Sequence, residues 1–261
     1  MIDFEKHRSD KIEYIYNQND INLDFQKHTH RSFEISFVYE GVLKCEVEGQ
    51  IFELKSGQGI MILPGQIHSY KTENYCKSYL CVFSNDWVNE FYKKIKGYHF
   101  ENPVFLFKDD LVCRVLQDSQ SDKFLIKSVL YGICSQVFKH SKILKTNESD
   151  FMLINSLAFY IQDNYRNNIS LKDISKDMGY SYCYLSSFFN ANFGMGFSCY
   201  VNNYRTELAK EYLNQTDKDI AEISLLCGFE TVRNFNRIFK SKTGMTPREF
   251  RIMRILKATE V

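Results

Sequence analysis

The stretch IAEISLLCGFETVRNFNRIFKSKTGM, residues 220–245, has a near twin upstream in LKDISKDMGYSYCYLSSFFNANFGM, residues 171–195. Ile174 answers Ile223, Met178 answers Cys227, Gly179 answers Gly228 and Tyr180 answers Phe229. After one inserted residue in the second copy, Leu185 matches Phe235, Phe189 matches Phe239, Gly194 matches Gly244 and Met195 matches Met245. Each copy reads as a short apolar helix, a turn at a glycine and a second helix opened by a capping-type residue, Ser181 or Thr231. The second helix spends one stripe on a core: Leu185, Phe188 and Phe189, or Phe235, Ile238 and Phe239. Its other face is left for a groove. A single helical hairpin mimics this grammar easily. Two copies with matched glycines and aromatics do so far less often.

These residues, with GYSYCYLSSFF, FSCYVNNYR and TPREFR, resemble the two-motif DNA-binding domain of AraC/XylS transcription regulators, over about residues 161–251. The match includes Gly228, Phe229, Phe235, Arg237, Phe239, Lys240, Gly244, Thr246 and Pro247. The resemblance implies two helix-turn-helix motifs joined by a long helix, here about Phe197 to Leu213. Each recognition helix would enter the major groove of an operator in double-stranded DNA.

Helical spacing puts Arg233, Asn236, Arg237 and Lys240 on the face opposite Phe235 and Phe239, with Thr231 at the helix start. Arg forks onto guanine and Asn onto adenine, whereas Lys240 and Lys242 suit phosphates. From Thr231 to the end, eight basic residues face two acidic ones, a formal +6 in a chain whose total is only +1. That asymmetry is what a DNA footprint asks for. The first motif departs from the family: its exposed face is Tyr182, Cys183, Ser186, Ser187 and Asn190, with no charge. A solvated helix face is the plain alternative for every one of these residues.

The N-terminal hundred residues read differently. Short apolar runs alternate with turns at Glu48-Gly49, Ser56-Gly57-Gln58-Gly59 and Pro64-Gly65, which suggests a small barrel or jelly roll. The run HTHRSFE places His28, His30, Ser32 and Glu34 on one face if the strand is continuous. Glu34 is followed by Gly41 seven residues on, and Pro64-Gly65 precedes His68. This resembles the cupin pattern over about residues 20–85, with the Pro-to-His spacing one residue short of the enzymatic form. The resemblance implies a barrel with those groups pointing inward.

Three uses compete for them. They could bind Zn, Ni, Mn or Fe through His28, His30, Glu34 and His68. With Tyr39 they could line a pocket for a hydroxylated effector, and Phe25, Phe37 and Tyr70 could offer stacking surfaces. They could also be barrel residues that satisfy one another. An attached DNA-binding domain favours sensing, so the expected effector is a small molecule, a sugar by family analogy, with no cofactor and no catalytic residue. A cupin enzyme carrying a DNA-binding appendage and a regulator without any small-molecule effector are the rivals.

Between the two halves, Asp109–Leu116 and Ser121–Lys139 carry apolar residues at helical spacing: Leu125, Val129, Ile133, Val137 and Phe138. They are expected to form a homodimer interface, or simply a stripe buried within the chain. Lys142–Asp150 reads as a polar linker. The expected fold is α+β: a cupin-like effector domain over 1–105, a helical dimerisation segment and linker over 106–150, and an all-α DNA-binding domain over 151–261. The expected function is a transcription activator that also meets RNA polymerase. No apolar run reaches the roughly 18 residues that span a bilayer. The first sixteen residues hold no apolar core of a signal peptide, and the eight cysteines form no CxxC pair. A cytoplasmic protein without membrane contact is therefore expected.

Overall fold

The computed structural model describes residues 14–106, 111–118 and 121–259. The signal-peptide reading up to residue 13, the helix start at Asp109 and the acidic Glu260 lie outside the described residues, as do the side chains of Arg254 and Lys257. The described chain divides into two compact units, one ending at Ala158 and the other beginning at Phe159.

The first unit is built from two antiparallel sheets. Strands β1 (Ile15–Ile21), β7 (Cys76–Phe83), the first part of β3 (Phe33–Val47), β5 (Gln58–Ile62) and β9 (Val104–Leu106) form one. Strands β2 (Phe25–His28), β6 (His68–Lys71), the second part of β3 and β4 (Gln50–Lys55) form the other. β3 therefore serves both sheets, and it changes partners at Gly41. A Cβ at Gly41 would lie 2.0 Å from the Tyr75 carbonyl oxygen, so only glycine permits this crossing. The E-x6-G spacing of the motif thus has a packing reason. The cupin-like barrel and the mixed α/β class expected from the sequence are what the structure has.

Alternation splits β3 into two faces. Phe33, Ile35 and Phe37, with Met61, Tyr79, Cys81 and Phe83, pack outward under a helical cover. The cover is a 3-10 turn at Asn85–Val88, helix α1 (Asn89–Ile95) and helix α3 (Lys123–His140), which contribute Trp87, Val88, Phe91, Leu130, Ile133, Cys134 and Val137. Burial of each such large apolar side chain stabilises the fold by about 1.5–3 kcal/mol. Of the stripe expected at a dimer interface, Ile133 and Val137 are thus buried within the chain, and Val129 and Phe138 pack partly against the same core. Leu125 stays exposed, beside Phe124.

Helix α2 (Leu111–Gln117) precedes α3, and strands β8 (Tyr98–Phe100) and β10 (Ile143–Lys145) pair with each other. The segment read as a polar linker therefore holds a strand, and helix α4 (Glu148–Asn164) begins within it. The second unit is helical: α5 (Leu171–Asp177), α6 (Tyr182–Phe193), α7 (Phe197–Gln215), α8 (Ile220–Leu226), α9 (Val232–Thr243) and α10 (Pro247–Thr259). No helix among the described residues is long and apolar enough to cross a membrane.

Candidate functional site

Two sites stand out, one in each unit. In the barrel, His28, His30, Glu34 and His68 are all buried, and one donor atom from each lies within 4.8 Å of the others. Strand pairing explains part of this: His28 lies directly opposite His68 in the β2–β6 ladder. A simple alternation from His28 to Glu34 does not hold, because β2 ends at His28 and β3 begins only at Phe33. The break turns Ser32 away, and its hydroxyl meets the Tyr14 hydroxyl instead. Despite the short Pro-to-His spacing, the loop after β5 delivers His68 to the cluster.

The outer edges of the three imidazoles are fixed by main chain. Nδ1 of His28 donates to the Gln26 carbonyl at 2.9 Å, Nδ1 of His30 to Ser32 at 3.0 Å and Nδ1 of His68 to Gln66 at 3.0 Å. A carbonyl only accepts, so in each ring the Nδ1 carries the proton. In the neutral tautomer every Nε2 is then a bare lone pair, and all three converge. Nε2 of His30 lies 3.2 Å from Glu34 Oε2. Nε2 of His68 lies 3.5 Å from Glu34 Oε1, too far for a hydrogen bond. The Nε2 atoms of His28 and His68 are buried with no hydrogen-bond partner.

Burial, then the neighbouring His68 and His30, push the His28 imidazolium well below its usual range, so this ring is neutral near pH 7. Burial works to raise the Glu34 carboxyl, but His68 and His30 outweigh it and hold the group well below the usual carboxylate range. A buried carboxylate facing inward lone pairs is repulsive unless a cation or proton lies between them. Carbonyl-anchored imidazoles with free Nε2 atoms are the outer shell that a metal-binding histidine needs. The donor set fits a divalent transition ion, which the cupin resemblance implies.

Of the other residues expected at this site, Tyr70 belongs to it. Its hydroxyl donates to Glu34 Oε1 at 2.5 Å. Phe25 is half-buried with its ring edge-on to His28, 4.5 Å between centroids. Tyr39 and Phe37 are not brought to the cluster: both lie with the outward core of β3. The Gln26, Ser32 and Gln66 carbonyls and Cys45 were missed. Tyr70 and Cys45 could have been placed by counting, since Tyr70 is two residues beyond His68 and Cys45 pairs with Tyr70 across β3–β6.

In the helical unit the two motifs repeat each other closely. Ser181 Oγ accepts from the Tyr184 N–H at 3.2 Å, and Thr231 Oγ1 accepts from the Asn234 N–H at 3.1 Å, so both expected caps are made. Helices α6 and α9 each have 12 residues. Leu185, Phe189 and Phe193 bury one stripe of α6; Phe235, Ile238 and Phe239 bury that of α9. Phe193 takes the buried place expected of Phe188, which is half-buried. Arg233, Asn236, Arg237 and Lys240 are exposed together, and Arg237 is steadied by Asn234 Oδ1 at 2.9 Å. Lys242 turns instead to the Cys199 sulfur at 3.1 Å. On α6, Tyr182, Cys183, Ser187 and Asn190 are exposed and Ser186 is half-buried. Beside them Tyr180, Tyr184 and Phe188 stack in a row, with centroid spacings of 5.3 and 5.9 Å.

A closed barrel with a ligand-type donor cluster, followed by twin helix-turn-helices, defines a sensor joined to a DNA-binding domain. Two family models match accordingly, an AraC-like ligand binding domain over residues 12–129 and a helix-turn-helix domain over residues 174–253. The chain belongs to the AraC family of transcription regulators. It is 36% identical over 98 residues, 38% of its length, to the uncharacterized HTH-type transcriptional regulator SAS0078 of Staphylococcus aureus strain MSSA476. It is 32% identical over 96 residues, 37% of its length, to YtdP of Bacillus subtilis strain 168. The chain spans only 13% and 12% of those relatives. In fold it resembles apo ToxT from Vibrio cholerae strain SCE256 (TM-score 0.59, 16% identity, 93% of this chain and 97% of that one). It likewise resembles the wild-type ToxT bound to an unsaturated fatty acid (TM-score 0.57, 17% identity, 93% and 95%).

Proposed function

We propose that the protein is a cytoplasmic transcription activator whose barrel responds to a divalent transition-metal ion held by His28, His30, Glu34 and His68. One observation carries the reading: three backbone-anchored imidazoles aim unprotonated Nε2 atoms at the same point as a buried carboxylate. The donors stand too close together for a sugar ring to lie among them, but they leave room for a single ion. When bound, the ion supplies the positive charge that the buried Glu34 and the three lone pairs require. The residues do the rest, orienting and excluding water. No catalytic role is assigned.

The DNA contacts are assigned to Thr231, Arg233, Asn236, Arg237 and Lys240 on the second motif, and to Tyr182, Cys183, Ser186, Ser187 and Asn190 on the first. Residues 1–105 serve sensing, 106–150 self-association and 151–261 DNA binding. The exposed Phe124, Leu125 and Tyr131 of α3 are the surface assigned to a homodimer. RNA polymerase contact follows from the activator role. Regulation requires that the ion favour one arrangement of the protein over another.

A second reading keeps a small hydroxylated effector, of the sugar class, with Tyr39 left outside its contacts. The half-buried Phe25 ring beside His28 favours it, as an aromatic platform at the rim of the cluster. One experiment separates the two. Protein purified without added metal is assayed for metal content, and a DNA fragment selected from random sequence is titrated with and without chelator. Near-stoichiometric metal, lost in His28→Ala, together with chelator-sensitive DNA binding, supports the metal reading. Metal-free protein whose DNA binding shifts with a sugar overturns it.

A further inference from the structure

Glu34 is the one anionic member of the cluster, and its two oxygens are not equivalent. Oε1 accepts the Tyr70 hydroxyl at 2.5 Å, whereas Oε2 lies 3.2 Å from His30 Nε2. Tyr70 is buried, and so is Cys45, its cross-strand partner in β3–β6. The Cys45 thiol is hydrogen-bonded to the same phenol oxygen. A phenol has one proton, and the short contact with a carboxylate acceptor uses it. The thiol must then be the donor in its contact with Tyr70. The result is a directed chain in which Cys45 S–H donates to Tyr70 Oη and Tyr70 O–H donates to Glu34 Oε1.

We propose that Tyr70, backed by Cys45, is a positioning residue that withholds Glu34 Oε1 and leaves Oε2 alone as the carboxylate donor to a divalent transition-metal ion. This rests on the metal reading of the cluster. A carboxylate with both oxygens unconstrained can chelate through both. One with Oε1 tied to a hydroxyl binds through a single atom and keeps the site at three nitrogens and one oxygen, the four-coordinate set that zinc and cobalt(II) accept as a tetrahedron. Nothing else among the described residues donates a hydrogen bond to Oε1.

Cobalt(II) tests this directly, because its visible bands are intense in four-coordinate sites and weak in five- or six-coordinate ones. The full-length protein and its Tyr70→Phe, Cys45→Ala and Cys45→Ser variants are titrated with Co²⁺ and then with Zn²⁺ in competition. Tyr70→Phe is expected to weaken binding on the order of 10–100-fold, the usual effect of removing an outer-shell partner, and to lower the band intensity. Cys45→Ala shifts the bands in the same direction by less, and Cys45→Ser, which can still donate, restores the parent spectrum. Unchanged affinity and an unchanged spectrum in Tyr70→Phe overturn the proposal while leaving the metal reading intact. Failure of the parent protein to bind either ion overturns both. Should Tyr70→Phe not fold by circular dichroism, Cys45→Ala decides, and a parental spectrum there overturns the proposal.

Discussion

The backbone N–H of Gly65 donates to the carbonyl oxygen of His30 at 2.8 Å, which ties the loop that carries His68 to the loop that carries His30. The same glycine has φ +86°, and a Cβ there would meet Phe151 Cζ at 2.7 Å and the Asn155 side chain at 2.7–2.8 Å, both on α4. Gly65→Ala therefore combines a left-handed backbone cost of about 1–3 kcal/mol with a clash against a helix. The expected outcome is a lower urea midpoint for the barrel unit and weaker retention of the ion, since His30 and His68 lose their common anchor. A variant as stable and as metal-loaded as the parent contradicts this account of the loop.

What the sequence made legible here was local. The two caps, the matched glycines and the buried stripes of the twin motifs are written within a few residues of where they act, and they are found there. The cluster was legible only in membership. His28, His30, Glu34 and His68 were expected together, but for a reason that fails at Thr29–Ser32, where the chain leaves the strand. Tyr39 was misplaced because alternation along β3 puts it with Phe33 and Phe37 rather than with Glu34. The β8–β10 pairing joins residues some forty positions apart, and no pattern within KILKTNESD announces a partner at Tyr98–Phe100. The three carbonyls that set the histidine tautomers belong to Gln26, Ser32 and Gln66, whose side chains say nothing of that role.

The twin turns make an internal comparison. Gly179 and Gly228 both have positive φ, +73° and +82°. A Cβ on Gly179 meets nothing within 4 Å, whereas one on Gly228 would lie 2.5 Å from the Arg166 carbonyl oxygen and 2.7 Å from its carbon. Gly179→Ala is expected to destabilise the helical unit by only about 1–2 kcal/mol. Gly228→Ala adds a backbone collision that cannot be relieved by a side-chain rotation, so its loss exceeds that of Gly179→Ala by roughly 2 kcal/mol or more. Chemical unfolding of the two variants side by side gives the ranking, and equal losses would refute it.

The caps give a second matched pair. Ser181 and Thr231 each satisfy one N–H in the first turn of a recognition helix. Their replacement by alanine is expected to cost about 1 kcal/mol each, additive in the double variant because the motifs are separate. Thermal melts of the two single variants and the double would reveal any coupling. A double-variant loss well above the sum would mean that the motifs do not melt as separate units.

DNA binding should be carried unequally by the two recognition helices. Arg233, Arg237 and Lys240 are exposed on α9, and α6 has no basic residue at all. Each phosphate neutralised by a cation adds close to one unit to the slope of log affinity against log salt, and a bidentate Arg–guanine pair is worth about 1–3 kcal/mol of discrimination. Arg237 is already steadied by Asn234, so little side-chain freedom remains to be lost on binding. Arg237→Ala is therefore expected to weaken operator binding by about tenfold or more at fixed salt and to relax base preference at one position. Ser187→Ala, at the matching place on α6, should change affinity less than threefold, within about 0.6 kcal/mol. The salt slope should fall in Lys240→Ala and stay parental in Ser187→Ala. Fluorescence anisotropy on one selected operator at three salt concentrations reads all of these together. Equal losses from Arg237→Ala and Ser187→Ala would mean that the uncharged face of α6, with its stacked Tyr180, Tyr184 and Phe188 alongside, binds as strongly as the charged one.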